Sequence, residues 1–166
     1  MVSPELLRRY PFFAGLSMKH ITALAQAAAE QDVAAETYLF HEGVELHHIY
    51  LVTEGNIAIV MELPARNVAH RVADQLTGEM QTEDMVISNV GAGGVFGWSG
   101  LLPPNQATAG AKAVSPSKVV ALDGQQLAQL FVDDAEFGYL MTQKVAGVIR
   151  QRLQDMRIES LAHMAT

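Results

Sequence analysis

Apolar side chains recur at helical spacing over residues 1–31, in short runs broken by glycine over 32–123, and at helical spacing again from 124 onward. Ser3 ahead of Pro4 predicts a short helix over residues 4–10, because the hydroxyl caps the first turn and proline lacks only an N–H that would be unpaired there. A second helix opens behind Ser17, with Met18, Ile21, Leu24, Ala25 and Ala28 on one face, and runs to about Glu30. Five runs then read as strands: Tyr38–Phe40, Ile49–Val52, Ile57–Val60, Met85–Ile87 and Lys118–Leu122. Glycines at 43, 55, 78, 91, 93, 94, 97 and 100 punctuate them, and this spacing predicts an antiparallel sandwich, jelly roll or barrel. The polar stretch from Leu63 to Thr82, which contains Pro64, is the expected long hairpin connection.

Asp123, with Gln126 three residues on, caps a short helix through Leu127, Leu130 and Phe131. Asp133 or Asp134 then opens a proline-free helix to about Met164, with glycines only at 138 and 147. It carries two apolar stripes. Phe137, Met141, Val145 and Val148 suit packing on the β body, whereas Ala146, Ile149, Leu153, Met156 and Ser160 keep a 3,4,3,4 spacing and outlast the first stripe. The second stripe predicts a homodimer through this helix, the alternative being a helix folded back on its own body. Arg150, Arg152 and Arg157 are expected along its polar side, partly matched by Asp155 and Glu159. The fold class is α+β and mainly β: helices over 1–31, a β-roll over 32–123, then a hinge helix and long dimerisation helix over 124–166.

With 166 residues the chain has room for one domain, and a 49% hydrophobic fraction excludes disorder. No window approaches the ~18 apolar residues of a membrane span, and Met1–Glu5 lacks the basic flank of an export signal, so the expected place is the cytoplasm with no membrane partner. The absence of cysteine removes thiolate chemistry and iron–sulfur clusters. A net charge of −7 argues against direct DNA binding. His41, His47 and His48 lie close in sequence, but adjacent strand residues leave opposite faces, and the HxH-plus-Glu pattern of metal-dependent cupin enzymes is absent. No metal site is therefore expected, and the cupin-type enzyme is the least favoured reading. Gly91–Gly94 lacks the Lys-Ser/Thr ending of a phosphate loop and reads as a turn. Without a local nucleophile motif no catalytic residue is assigned, and no cofactor is indicated.

Phe12-Phe13-Ala14-Gly15-Leu16, Phe40-His41-Glu42-Gly43, Ile49 through Gly55 and Gly94-Val95-Phe96-Gly97 follow one another in an order and spacing that resembles the cyclic nucleotide-binding domain of the catabolite activator and kinase-regulatory-subunit superfamily. The resemblance implies a regulatory, non-enzymatic ligand sensor with a phosphate-binding cassette at 94–113. It places a ligand against Phe96, Gly97, Trp98, Ser99, Gly100, Thr108 and Ala109. In the family an Arg neutralises the cyclic phosphate and a Glu holds the ribose. Here Trp98 stands at the Glu position and Ala107 at the Arg position, and residues 91–113 contain no Asp, Glu or Arg, with Lys112 their only charge.

A regular strand over 107–113 would turn Ala109, Ala111 and Ala113 inward and Lys112 outward. Losing the arginine removes a charge-assisted pair worth roughly 1.5–3 kcal/mol, so tight binding of cyclic AMP or cyclic GMP in the usual way is not expected. Either a cyclic nucleotide or another small ligand, planar enough to stack on Trp98, occupies the cassette, or Trp98 folds inward and plugs it, leaving a ligand-free dimerisation protein. The family's transcription factors continue into a helix-turn-helix domain, whereas this sequence stops soon after Leu161, so no recognition helix is expected.

Overall fold

The structure is a computed structural model that describes residues 1–64 and 82–165. Helix α1 (Pro4–Arg8) and a 3₁₀ turn (Pro11–Phe13) lead to α2 (Met18–Gln26). Eight strands follow: β1 (Ala28–Val33), β2 (Tyr38–Phe40), β3 (His48–Glu54), β4 (Asn56–Pro64), β5 (Thr82–Gly91), β6 (Val95–Phe96), β7 (Gly110–Ala113) and β8 (Ser117–Asp123). A 3₁₀ turn (Trp98–Gly100) separates β6 from β7, and α3 (Gly124–Asp133) and α4 (Ala135–Met164) end the chain. The expected connection from Leu63 to Thr82, with Gly78, lies outside the described residues apart from its ends.

Two four-stranded antiparallel sheets, β1-β8-β3-β6 and β2-β7-β4-β5, form a two-sheet jelly roll without a closed barrel among the described strands. In the first sheet the β3–β8 pair is buried on both faces. Tyr50 and Val52 of β3 and Val119 and Ala121 of β8 enter the core between the sheets. Ile49 and Leu51, with Val120 and Leu122, enter a second core that also takes Leu7, Leu24, Phe137 and Met141 from the helices. A strand buried on both sides cannot alternate apolar with polar residues, which is why these two read as unbroken hydrophobic runs.

The helix expected to reach Glu30 stops at Gln26, because Ala28–Val33 pairs with β8 from Ala28↔Leu122 to Val33↔Ser117. The ladder overrides the helical preference of Ala, Glu and Gln. The caps follow the sequence: Ser3 accepts from the Glu5 N–H and Ser17 from the His20 N–H, each at 3.2 Å. Asp123 accepts from the Gln125 and Gln126 N–H groups at 2.9 and 3.0 Å.

Asp134, the second of the two candidate caps, starts α4. Its Oδ1 accepts the Phe137 N–H at 3.1 Å. Its Oδ2 meets Lys19 at 3.1 Å and His20 at 3.2 Å, and the His20 ring stacks on Phe137 with centroids 4.4 Å apart. The α2 helix thereby grips the root of α4. From there Phe137, Met141 and Val145 are buried as expected, while Leu153 and Met156 of the second stripe stay exposed on this single chain.

Arg152 departs from expectation. It donates to Ser88 Oγ at 2.9 Å and to the Val95 carbonyl at 3.1 Å, facing the body instead of solvent. The reason is its position four residues after Val148, which continues the body-facing stripe by one more turn. On the outer face of the second sheet Lys112 pairs with Glu36 at 3.1 Å and Asp84 at 3.4 Å, outward as expected. Tyr38 donates to Asp84 there, and His41 pairs with Glu62 at 2.8 Å. No group of three metal-ligating side chains occurs among the described residues.

Two expected outcomes follow. The accepted Phe137 N–H, and after it the Lys19 ammonium, hold the Asp134 carboxyl down at about 2 against an ordinary 3.8. A depressed carboxylate stabilises the fold fully above its unfolded value and loses that contribution as pH falls through the folded one. Asp134→Asn should therefore lower the urea midpoint at neutral pH and flatten its fall between 3.8 and about 2. At Gly100 a Cβ would stand 2.3 Å from the His48 carbonyl oxygen. Gly100→Ala should thus cost roughly 1–3 kcal/mol, about 2–4 °C of melting midpoint for each kcal/mol, in a thermal scan.

Candidate functional site

The cassette begins where β6 ends. Gly97 takes φ +74°, ψ 31°, a left-handed conformation natural to glycine, and a Cβ there would meet the Tyr50 ring at 2.9 Å. The chain then winds one 3₁₀ turn, with Gly100 N–H donating to the Gly97 carbonyl at 3.0 Å and Leu101 N–H to the Trp98 carbonyl at 2.9 Å. Asn105 braces the turn by donating from Nδ2 to the Ser99 carbonyl at 2.9 Å. On the other side Gly100 lies against β3, and Gly124, the first residue of α3, packs on the Gly100 carbonyl so closely that a Cβ would come within 2.1 Å. The Gly124 N–H donates to the His47 carbonyl at 2.8 Å. Cassette, central strand and hinge helix therefore meet with no side chain between them.

Six of the expected ligand residues, Phe96, Gly97, Trp98, Ser99, Thr108 and Ala109, line one cavity. Gly100 does not; its place is the backbone junction just described. Phe40, Leu46 and Ile59, which no sequence motif marks as ligand residues, complete the apolar wall. Phe40 and Phe96 both stack on Tyr50, with centroids 5.8 and 5.1 Å away. Phe40 belonged to a recognised motif, but as a turn residue, and only the β2–β7 pairing carries it to the cassette.

The cavity measures about 30 Å³. That is the room of about one water molecule, against the ~300–1,000 Å³ of small-molecule sites. No lining residue is charged. Ala107, the residue expected at the position of the family's Arg, is 4% exposed and held by its backbone, accepting from Gly43 N–H and donating to the Val44 carbonyl, both at 2.8 Å. This pairing with the 43–44 turn also shortens the expected strand over 107–113 to Gly110–Ala113, with Ala111 and Ala113 inward.

Trp98 is half-buried at the cavity rim and packs against the helix-side core. The Arg152 guanidinium lies over its ring at 5.7 Å. Apolar side chains from both sheets, and not the indole alone, fill the interior. The cation over the cassette rim thus arrives from α4, 54 residues past Trp98 in sequence, a distance over which no local pattern could announce it. Burial lowers the Arg152 pKa from its ordinary value, because few charges compensate the guanidinium there.

No helix among the described residues is long and apolar enough to cross a membrane. A search of curated proteins finds no match. Among solved structures, a provisionally named cyclic nucleotide-binding protein from Geobacter metallireducens GS-15 superposes with a TM-score of 0.73 at 25% identity, covering 92% of this chain and 99% of that one. A cyclic nucleotide-binding domain from Methylobacillus flagellatus KT gives 0.73 at 16% identity, covering 96% and 80%. The N-terminal domain of a transcriptional regulator from Streptomyces coelicolor A3(2) gives 0.63 at 25% identity, covering 91% and 94%. The cyclic nucleotide-binding domain family model matches residues 30–134, from the third residue of β1 to the Asp134 cap. That span is more than half of the chain and holds both sheets, the glycine corner and the hinge helix, so the chain belongs to the cyclic nucleotide-binding domain family.

Proposed function

We propose that this chain is a regulatory ligand-sensing module whose cassette keeps the family's backbone corner but has given up holding a cyclic nucleotide by its phosphate. The observation that carries the reading is an uncharged cavity of about 30 Å³ set beside an intact glycine corner. A cyclic phosphate seated there would lose its charge-assisted partner and would have to displace Phe40, Leu46 and Ile59. Opening the corner for any ligand moves Trp98 and with it Arg152, and this supports transmission to α4. An effector then works by preferring one position of that helix. A small uncharged ligand, planar enough to rest on the cassette aromatics, fits this lining better than an anion does.

The same small volume favours a second reading, in which the cavity is permanently filled by its own walls and the protein acts through its dimer surface. In both readings α4 pairs with a second copy. Leu153 is 47% and Met156 42% exposed, with Ala146 and Ser160 exposed on the same side, while Ile149 touches the body as well. A seam of this spacing buries its apolar side chains only against another helix.

Thermal shift with cyclic AMP, cyclic GMP and cyclic dinucleotides should leave the midpoint unmoved, whereas a ligand at 100 times its dissociation constant would add about 2.7 kcal/mol. Micromolar capture of cyclic AMP against Gly97 would overturn the first proposal, and a midpoint raised by a small uncharged aromatic would decide against permanent self-filling. For the dimer, Leu153→Glu with Met156→Glu should give a folded monomer in light scattering; an unchanged oligomer would refute the seam.

A further inference from the structure

Across the glycine turn from the cassette lies a larger opening of about 610 Å³, walled by Phe12, by Ala92 and Gly93 after β5, and by Lys144, Val148 and Arg152 of α4. Its volume is within the ~300–1,000 Å³ range of small-molecule sites. Two cations face it in a chain of net charge −7, and neither has a carboxylate in salt-bridge reach among the described residues. Lys144 donates to the Ala14 carbonyl at 2.6 Å. Arg152 donates to a hydroxyl and a carbonyl. All of these partners are neutral. The acid in the same wall, Asp155, accepts instead from the Gln151 amide at 2.9 Å.

A guanidinium has five N–H donors and an ammonium three, so both cations keep donors beyond those already used. Asp155 acts on Arg152 only through space, and a half-buried charge whose direct partners are all neutral is unfavourable and is relieved by an anion. The two side chains arise eight residues apart, about 12 Å along the helix axis, a span that a nucleotide-sized molecule covers. Between them Phe12 and Val148 offer an apolar floor. At ~100° per residue Lys144 and Gln151 lie nearly opposite Ala146 and Leu153 on α4, so the Lys144 side of the opening faces away from a partner copy on the seam, while Arg152, ~40° from Met156, stands at its edge.

We propose that this groove is a second binding site, separate from the cassette, for a small organic anion whose phosphate or carboxylate groups engage Arg152 and Lys144 while its apolar or flat part rests on Phe12 and Val148. The test is a titration of the full chain with AMP, citrate and pyrophosphate at constant ionic strength, followed by backbone amide NMR. At least one of the three should shift Ala92, Gly93, Gly147 and Val148 saturably, and adenosine, which has the flat part without the anion, should not. Lys144→Gln and Arg152→Gln should each weaken binding by about tenfold or more. Thermal midpoints establish that the variants are folded, and Lys144→Gln removes only a bond to a loop carbonyl. No saturation by any of the three anions below about 10 mM overturns the proposal. So does equal binding of adenosine, a folded variant that binds like the wild type, or shifts confined to residues 97–109. The four reporting amides lie outside residues 97–109, so the groove and the cassette reading fail or stand separately.

Discussion

The two-sided burial of β3 and β8 is the constraint from which the remaining architecture follows. Because Ile49, Leu51, Val120 and Leu122 face the helices while Tyr50, Val52, Val119 and Ala121 face the second sheet, one strand pair is shared by two cores. The helices cannot detach without exposing the first set, and the second sheet cannot detach without exposing the other. A shift of register by one residue would exchange the sets and put Tyr50 under the helices. The cassette corner is docked on that same pair, with Tyr50 against Gly97 and the His48 backbone against Gly100, so the most rigid part of the molecule is also the reference frame of its site.

That constraint also explains how much was legible in the sequence. Ile49-Tyr50-Leu51-Val52 and Val119-Val120-Ala121-Leu122 announce themselves as continuous apolar runs, and the caps at Ser3, Ser17 and Asp123 depend only on neighbours within three residues. Elements defined by a distant partner were misread. Ala28–Val33 has helical composition and becomes a strand only because β8 lies beside it. Phe40, Leu46 and Ile59 become cavity wall through the pairings of β2 and β4 with β7 and the return of the 43–46 turn to residues 105–107. Arg152 was misplaced for a different reason. In a helical pattern an arginine at a body-facing position looks like the start of the solvent face, and only the Ser88 hydroxyl, the Val95 carbonyl and the Trp98 ring make that position habitable for a charge.

The electrostatics of the site have moved as well as weakened. The cavity lining is uncharged, and the guanidinium over its rim belongs to the long helix. Placed there, the charge joins the cassette turn to the long helix. An arginine inside the loop reports on an anion in the pocket; one on α4 reports on where the helix is.

Two contacts of different stiffness join the corner to the C-terminal helices. The Gly100–Gly124 junction is backbone on backbone, with no side chain that could change rotamer, and it fixes where α3 begins. The Arg152–Trp98 contact is one stacked pair at 5.7 Å, of the order of 1 kcal/mol, and it can break while the junction holds. The root of α4 is held a third time by Asp134 between Phe137, Lys19 and His20. The helix is thus held at its root and again about five turns further on, where Arg152 adds bonds to Ser88 and the Val95 carbonyl to its place over Trp98. Arg152 borders both the cassette rim and the proposed anion groove, so on the two proposals a ligand in either place would act on the same helix through the same guanidinium.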